Sequence, residues 1–142
     1  ADLTREDGLA ILMVDVDHFK DYNDHHGHVE GDHCLQQVAG ALQAGIGPQP
    51  GMVVRYGGEE FLVLLESVTE RQLRACAERI RRKVRALKLI HPDSSVAKVL
   101  TVSVGAVSYK AEQHTNLTDL VRAADAALYD AKHQGRDCCI VR

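Results

Sequence analysis

An α/β fold, a central mixed sheet flanked by helices in the order β-α-α-β-β-α-β-α-β, is what the hydrophobic pattern of this chain predicts. Three observations carry that reading. Residues 9–14 and 61–65 are continuous apolar runs of strand length, the mark of strands buried inside a sheet. Leu73, Cys76, Ala77, Ile80, Val84 and Leu87 recur at helical spacing, as one face of an amphipathic helix does. The two kinds of segment alternate without repeat, low-complexity tract or linker, so the 142 residues read as one domain, 1–142.

Taken in order, residues 1–8 are polar and end in a glycine, as a loop entering the first strand would. Residues 9–15 form that strand, which stops at Asp15-Val16-Asp17. Strand alternation puts Asp15 and Asp17 on the same side. Two acids at the carboxyl end of a strand, ahead of a helix, suit a metal or phosphate site. The alternative is that Asp17 caps the next helix and Asp15 is merely solvated. Residues 18–26 are helix-compatible and close at Gly27, and a second helix over 29–44 carries the stripe Leu35, Val38 and Leu42. Glycine and proline break residues 45–51.

Met52-Val53-Val54 reads as a β-branched strand. Gly57-Gly58 reads as the two-residue turn of a hairpin, and 61–65 as its partner strand, covered on both faces. Glu59 and Glu60 leave that turn at once, and charges so placed are exposed, paired or metal-bound. Thr69-Glu70-Arg71-Gln72 fits a capping box that starts the next helix. Arg71, Arg74, Arg79, Arg81, Arg82 and Arg85 on that helix read as a solvated face. Residues 91–95 are a loop, and 99–107 a strand in which Gly105 marks a bulge or a close backbone approach. A last helix over 117–134 turns Leu120, Val121, Ala124, Leu128 and Ala131 inward and stops at Gly135, leaving 138–141 for a closing strand.

Composition excludes some partners. A net charge of -3 argues against a nucleic-acid footprint. No apolar run is long enough to span a bilayer and no signal-peptide pattern is present, so no membrane contact by this domain is expected. A cytoplasmic setting follows, although a parent protein could still be membrane-anchored. Cys34, Cys76, Cys138 and Cys139 lack Cys-x-x-Cys spacing and read as reduced thiols, the alternative being a disulfide. His25, His26, His28 and His33 fit no common zinc spacing.

Four blocks, in order and together running from about residue 9 to 136, carry a family resemblance. Gly57-Gly58-Glu59-Glu60-Phe61 resembles the signature of the GGDEF domain, the diguanylate cyclases, in its glutamate-containing form. Asp15-Val16-Asp17-His18-Phe19-Lys20, with Asn23-Asp24, Gly27-His28 and Gly31-Asp32, resembles that family's D-x-D-x-F-K … N-D … G-H … G-D. Thr101-Val102-Ser103-Val104-Gly105 resembles its T-V-S-I-G. The stretch from Ala123 through Asp125, Leu128, Tyr129 and Lys132 to Gly135-Arg136 resembles its A-D-x-A-L-Y-x-A-K-x-x-G-R.

The resemblance implies a fold like the palm of nucleotidyl cyclases and polymerases. It also implies an enzyme that condenses two GTP into cyclic di-GMP with release of two pyrophosphates. Asp15, Glu59 and the main-chain carbonyl of Val16 would hold the metal, magnesium by the hardness of its oxygen ligands, with manganese as the alternative. Glu59 would also be the base for the 3′-hydroxyl, with Glu60 a lesser metal-side candidate. Lys20, Lys132 and Arg136 would meet the triphosphate, Lys20 stabilising the transition state. Main-chain N–H groups around Phe19 would cradle phosphate. Asn23 and Asp32 would read the guanine edge. Lys132 and Arg136 equally suit a helix C-terminus.

Each domain would hold one GTP, so turnover implies a transient antiparallel homodimer, with an upstream sensory domain in the parent protein to control it. The alternative is a signalling module that binds GTP or cyclic di-GMP with little or no catalysis. Three departures stand out. Where the family often has an inhibitory R-x-x-D, this chain has Pro48-Gln49-Pro50-Gly51, so product would bind at the active site instead. The family's D-x-L-T and following helix lack a counterpart before Leu9, as in a piece of a longer protein lacking that segment or, alternatively, in a divergent entry segment. Asp137 stands where asparagine often follows G-R.

Overall fold

A computed structural model describes residues 8–142; the expected loop over residues 1–7, with Asp2-Leu3-Thr4, lies outside the described residues. The elements are β1 (Ala10–Val16), α1 (Phe19–His26), α2 (His28–Ile46), β2 (Gly51–Gly57), β3 (Glu60–Leu65), α3 (Glu70–Ala86), β4 (Val102–Ser108), α4 (Leu117–His133) and β5 (Cys139–Val141). The predicted order holds throughout. The five strands form one mixed sheet in the order β2-β3-β1-β4-β5, antiparallel except for the parallel pair β4 and β5.

β1 is central because both of its faces are apolar. Ala10, Leu12, Val14 and Val16 enter the core beneath α1, α2 and α3, while Ile11 and Met13 enter the smaller core beneath α4. Gly105 shows why α4 can lie so close. A Cβ there would stand 2.2 Å from the Leu128 nitrogen and 2.4 Å from the Ala124 carbonyl oxygen. The β4 register runs through Gly105 without a shift, so this glycine marks close approach, not a bulge.

β3 departs from the expectation of cover on both faces. Phe61, Val63 and Leu65 are buried, but Leu62 and Leu64 are only half-buried, since α4 lies over β4, β1 and β5 and stops short of the β3–β2 edge. The hairpin turn also shifts by one residue. Gly57 ends β2 and pairs with Glu60, so the turn is Gly58-Glu59. Only Gly58 takes positive φ, 47°, the need of a turn with a left-handed first central residue. A register shift at Tyr56 supplies the extra β2 residue, and Arg55 Nε donates to the Gly58 carbonyl at 2.9 Å.

The capping box of α3 forms as read, with the Thr69 hydroxyl accepting from Gln72 N–H and the Gln72 side chain accepting from Thr69 N–H. Its arginines are not all a solvated face. Arg79 donates to the carbonyls of Gly45 and Ile46, satisfying the C-terminal end of α2. Arg81 sits between Glu78 and Asp137, which ties α3 to the entry of β5. Arg71, Arg74, Arg82 and Arg85 are exposed as expected. All four cysteines are free thiols.

Candidate active site

The site forms where three loops meet at one end of β1. A cleft of about 230 Å³ is lined by residues 15–21, Glu59, Lys132 and Arg136. Antiparallel pairing sets Asp15 opposite Glu60, and Val16 N–H donates to the Glu59 carbonyl at 3.2 Å. Asp15 and Glu59, 44 positions apart in sequence, thus share one cleft wall.

Asp15 is 7% exposed and its carboxylate pairs with the Lys132 ammonium. Burial pushes the Asp15 carboxyl above the ordinary aspartate value; Lys132 opposes the shift, and the charges of Glu59 and Asp17 add to it. Glu60 is raised for the same leading reason, followed by the charges of Asp15 and Asp125. The acids of this cleft therefore crowd one another. A cation among them relieves that repulsion.

Among the described residues, no group of three His, Cys, Asp or Glu side chains is placed to hold a metal alone. What the cleft offers is two carboxylates, Asp15 and Glu59, beside the main chain of Val16, with all-oxygen chemistry. That set fits magnesium, which is commonly bound by one or two carboxylates plus phosphate and water oxygens rather than by an all-protein cage.

α1 begins in the cleft. Its N-cap, His18, is left-handed at φ 52° and provides no side-chain cap, so the N–H groups of Phe19, Lys20 and Asp21 have no intrahelical acceptor. Arg136 follows Gly135 in a run of three positive φ values, 111°, 63° and 47° at Gly135, Arg136 and Asp137. The Arg136 N–H donates to Ala131 O, closing the end of α4 beside the cleft.

Not every expected residue faces in. Lys20 lies at the rim, where its exposed ammonium pairs with Asp24 at 3.0 Å on α1 itself. Asn23 and Asp32 lie outside the cleft wall, between α1 and α2. The Asn23 side chain rests on Gly31, the residue before Asp32, where a Cβ would stand 1.6 Å from Oδ1. That Oδ1 is buried and has no hydrogen-bond partner, whereas Asp32 is exposed.

Asp17 is the residue whose role sequence reasoning missed. It neither caps α1 nor faces solvent. It is 2% exposed and accepts from Thr101 Oγ1 at 2.7 Å, Ser103 Oγ at 2.6 Å and Asp137 N–H at 3.0 Å. The Asp137 carboxylate in turn pairs with Arg81 and Arg85. The Thr-x-Ser spacing of Thr101 and Ser103, at the entry to β4, was the available signal, since in an extended chain it puts two hydroxyls on one face.

The chain matches a described family over nearly its whole length: residues 1–138 fit "Diguanylate cyclase, GGDEF domain". A probable diguanylate cyclase of Escherichia coli K12, DgcT, is 39% identical over 94% of this chain and 29% of its own length. The active GGEEF domain of a Vibrio cholerae diguanylate cyclase superposes with TM-score 0.79 at 31% identity, covering 95% of this chain and 83% of that one. The GGDEF domain of DgcB from Caulobacter crescentus, solved with c-di-GMP, gives TM-score 0.80 at 30% identity over 94% of this chain and 77% of that one. The chain spans about a third of the length of the curated relatives it matches.

Proposed function

This chain belongs to the GGDEF domain family, the diguanylate cyclases, and on that premise we propose that it condenses two GTP into cyclic di-GMP and two pyrophosphates. The observation that carries the proposal is the meeting of Asp15, from β1, and Glu59, from the β2–β3 turn, in one cleft that also holds Lys132, Arg136 and the uncapped start of α1.

Asp15, Glu59 and the Val16 carbonyl are the residues to hold magnesium, or manganese in its place. Such an ion, when bound, offsets phosphate charge and polarises the oxygens of an in-line displacement. The remaining chemistry belongs to side chains. Glu59 takes the proton of the 3′-hydroxyl that attacks the α-phosphorus of the facing GTP, and the bond to the pyrophosphate oxygen breaks. The same exchange in the opposite sense closes the ring. Lys132 and Arg136 bind the triphosphate, and N–H groups at Phe19 add donors at a helix start. Lys20 must leave Asp24 to reach developing charge on the phosphoryl oxygens, an exchange that its exposure makes cheap.

The Asn23 Oδ1 has no partner where it lies on Gly31, so little holds it there, and with the side chain turned outward it can accept from N–H groups of a base. Asp32, exposed on α2 next to Gly31, supplies a second acceptor. Glu60 shapes the charge of the cleft behind Glu59. Each cleft takes one GTP, so the working form is a transient antiparallel homodimer governed by an upstream sensory domain, in the cytoplasm. Among the described residues no helix is long and apolar enough to cross a membrane. With Pro48-Gln49-Pro50-Gly51 at the usual inhibitory position, product acts back at the active site.

The test is incubation with GTP and magnesium, with products resolved beside a Glu59→Gln control. Cyclic di-GMP from the wild type alone, at a rate per protein that falls on dilution, is the expected result. GTP bound but never turned over would leave a nucleotide-binding module instead.

A further inference from the structure

We propose that His91 is a positioning residue for the phosphate-facing turn, an inference that rests on the cyclase reading of the same cleft. His91 is fully buried, 73 residues away from His18 in sequence, and its Nε2 lies 2.9 Å from the His18 carbonyl oxygen. A carbonyl only accepts, so Nε2 carries a hydrogen, and in the neutral ring Nδ1 is then a bare lone pair. That Nδ1 is buried without a partner. A leucine or phenylalanine would fill such a place without leaving a polar atom unsatisfied, so the imidazole is there for the bond that Nε2 makes.

The bond falls on one of the two cleft-lining residues, His18 and Arg136, that hold a positive φ without being glycine. His18 holds φ 52°, a left-handed conformation that a non-glycine residue keeps only when its surroundings impose it. Its carbonyl already accepts the first intrahelical bond, from Tyr22 N–H at 3.1 Å, and His91 adds a second donor from outside the helix. Ser95, in the same loop as His91, lies 3.2 Å from His18 Nε2 by its hydroxyl. On the upstream side Asp17 is held by Thr101 and Ser103.

The 91–95 loop is itself braced, by His91 N–H donating to Lys98 O and by the Ile90–Val99 bridge that precedes β4. The Tyr22 ring stands edge-on to His91 at 5.3 Å between centroids, which fixes the imidazole plane. A rigid loop outside the cleft thereby sets the turn whose next residues, Phe19 and Lys20, start α1 within it. His91 touches no substrate. Its effect is to keep the N–H groups of that first turn preorganised for a triphosphate.

Three variants separate this role from mere packing. His91→Gln keeps a donor near the Nε2 position, whereas His91→Leu and His91→Phe keep bulk without a donor. All three are assayed for KM and kcat with magnesium-GTP, and for binding of a non-hydrolysable GTP analogue, well below their melting temperatures. The Leu and Phe variants are expected to raise KM and the analogue's Kd by about five- to tenfold, the effect of one neutral hydrogen bond, with kcat within about threefold of wild type. His91→Gln is expected to recover most of the loss. Long-range ¹⁵N spectra of the wild type should give the Nε2–H tautomer. Folded Leu or Phe variants with wild-type KM and Kd, or an Nδ1–H tautomer, would overturn the proposal. A wild type that neither binds the analogue nor turns over GTP would overturn the cyclase reading instead, and the tautomer would still decide the His91 bond independently.

Discussion

Asp15 and Asp17 stand two residues apart at the end of the same strand, both buried, and they are treated in opposite ways. Asp17 receives two hydroxyls and an N–H, so its charge is dispersed over donors that have nothing else to bind. Asp15 has a single cation, Lys132, and neighbouring acids that raise it further. A satisfied carboxylate locks strands together. An under-satisfied one is a binding site in waiting, and its cost to stability is the preorganisation that a metal-triphosphate would relieve.

The sharpest way to break this contrast is to neutralise each acid in turn. Asp15→Asn is expected to lower cyclase activity by at least about 100-fold, by the size of losses seen when one charge-stabilising group leaves a polar site. Its melting temperature should nevertheless hold or rise. Asp17→Ala should do the reverse to the fold, costing about 2–4 kcal/mol in urea unfolding because three donors lose their acceptor. A destabilised Asp15→Asn protein, or an unaffected Asp17→Ala protein, would erase the distinction.

Acid–base linkage sharpens it further. The Asp15 and Glu60 carboxyls are raised in the folded state, so folding favours their protonated forms. Their contribution to stability is fully present below the unfolded carboxylate values and is lost as pH rises through the folded ones. Urea unfolding of wild type and Asp15→Asn should therefore agree most closely near pH 3 and diverge toward neutrality, with the variant the more stable. Divergence on the acid side would contradict the assignment.

Smaller effects follow on either side of the comparison. Lys132→Met removes the cation that competes for Asp15. Manganese titrated without nucleotide should bind roughly tenfold tighter, while GTP binds more weakly, a split equivalent to about 1.4 kcal/mol. Asp137→Ala takes from Arg85 its acidic partner and from Arg81 one of two, Glu78 remaining, and should cost about 1 kcal/mol in thermal unfolding, less than Asp17→Ala because those pairs are only partly buried.

Much of this molecule could be read before it was folded. The apolar runs of β1 and β3, the capping box at Thr69 and the stop at Gly135 are local signals, and each placed its element within a few residues. The acids at Asp15 and Glu59 were visible because charges at strand ends and turns are unusual enough to ask for a reason. What was hidden depended on partners far along the chain. Asp17 meets Thr101 and Ser103 only because β4 lies beside β1, and Arg81 meets Asp137 only once β5 closes the sheet. The half-covered face of β3 is equally non-local, since it depends on where α4 stops. The position of the turn at Gly58-Glu59 rested on a single bulge at Tyr56, which no propensity in that stretch announces. Lys20 illustrates another limit: motif membership put it at the cleft, while its present partner, Asp24, was set by i,i+4 spacing on α1.

The most direct trial of the proposed metal site is a crystal structure with manganese and a non-hydrolysable GTP analogue, read by anomalous scattering at the metal edge. The predicted result is an ion held by the Asp15 and Glu59 carboxylates and the Val16 carbonyl, with Lys132 moved from Asp15 to the triphosphate. Analogue bound in the cleft with no ion between those two carboxylates, and Lys132 still on Asp15, would contradict it.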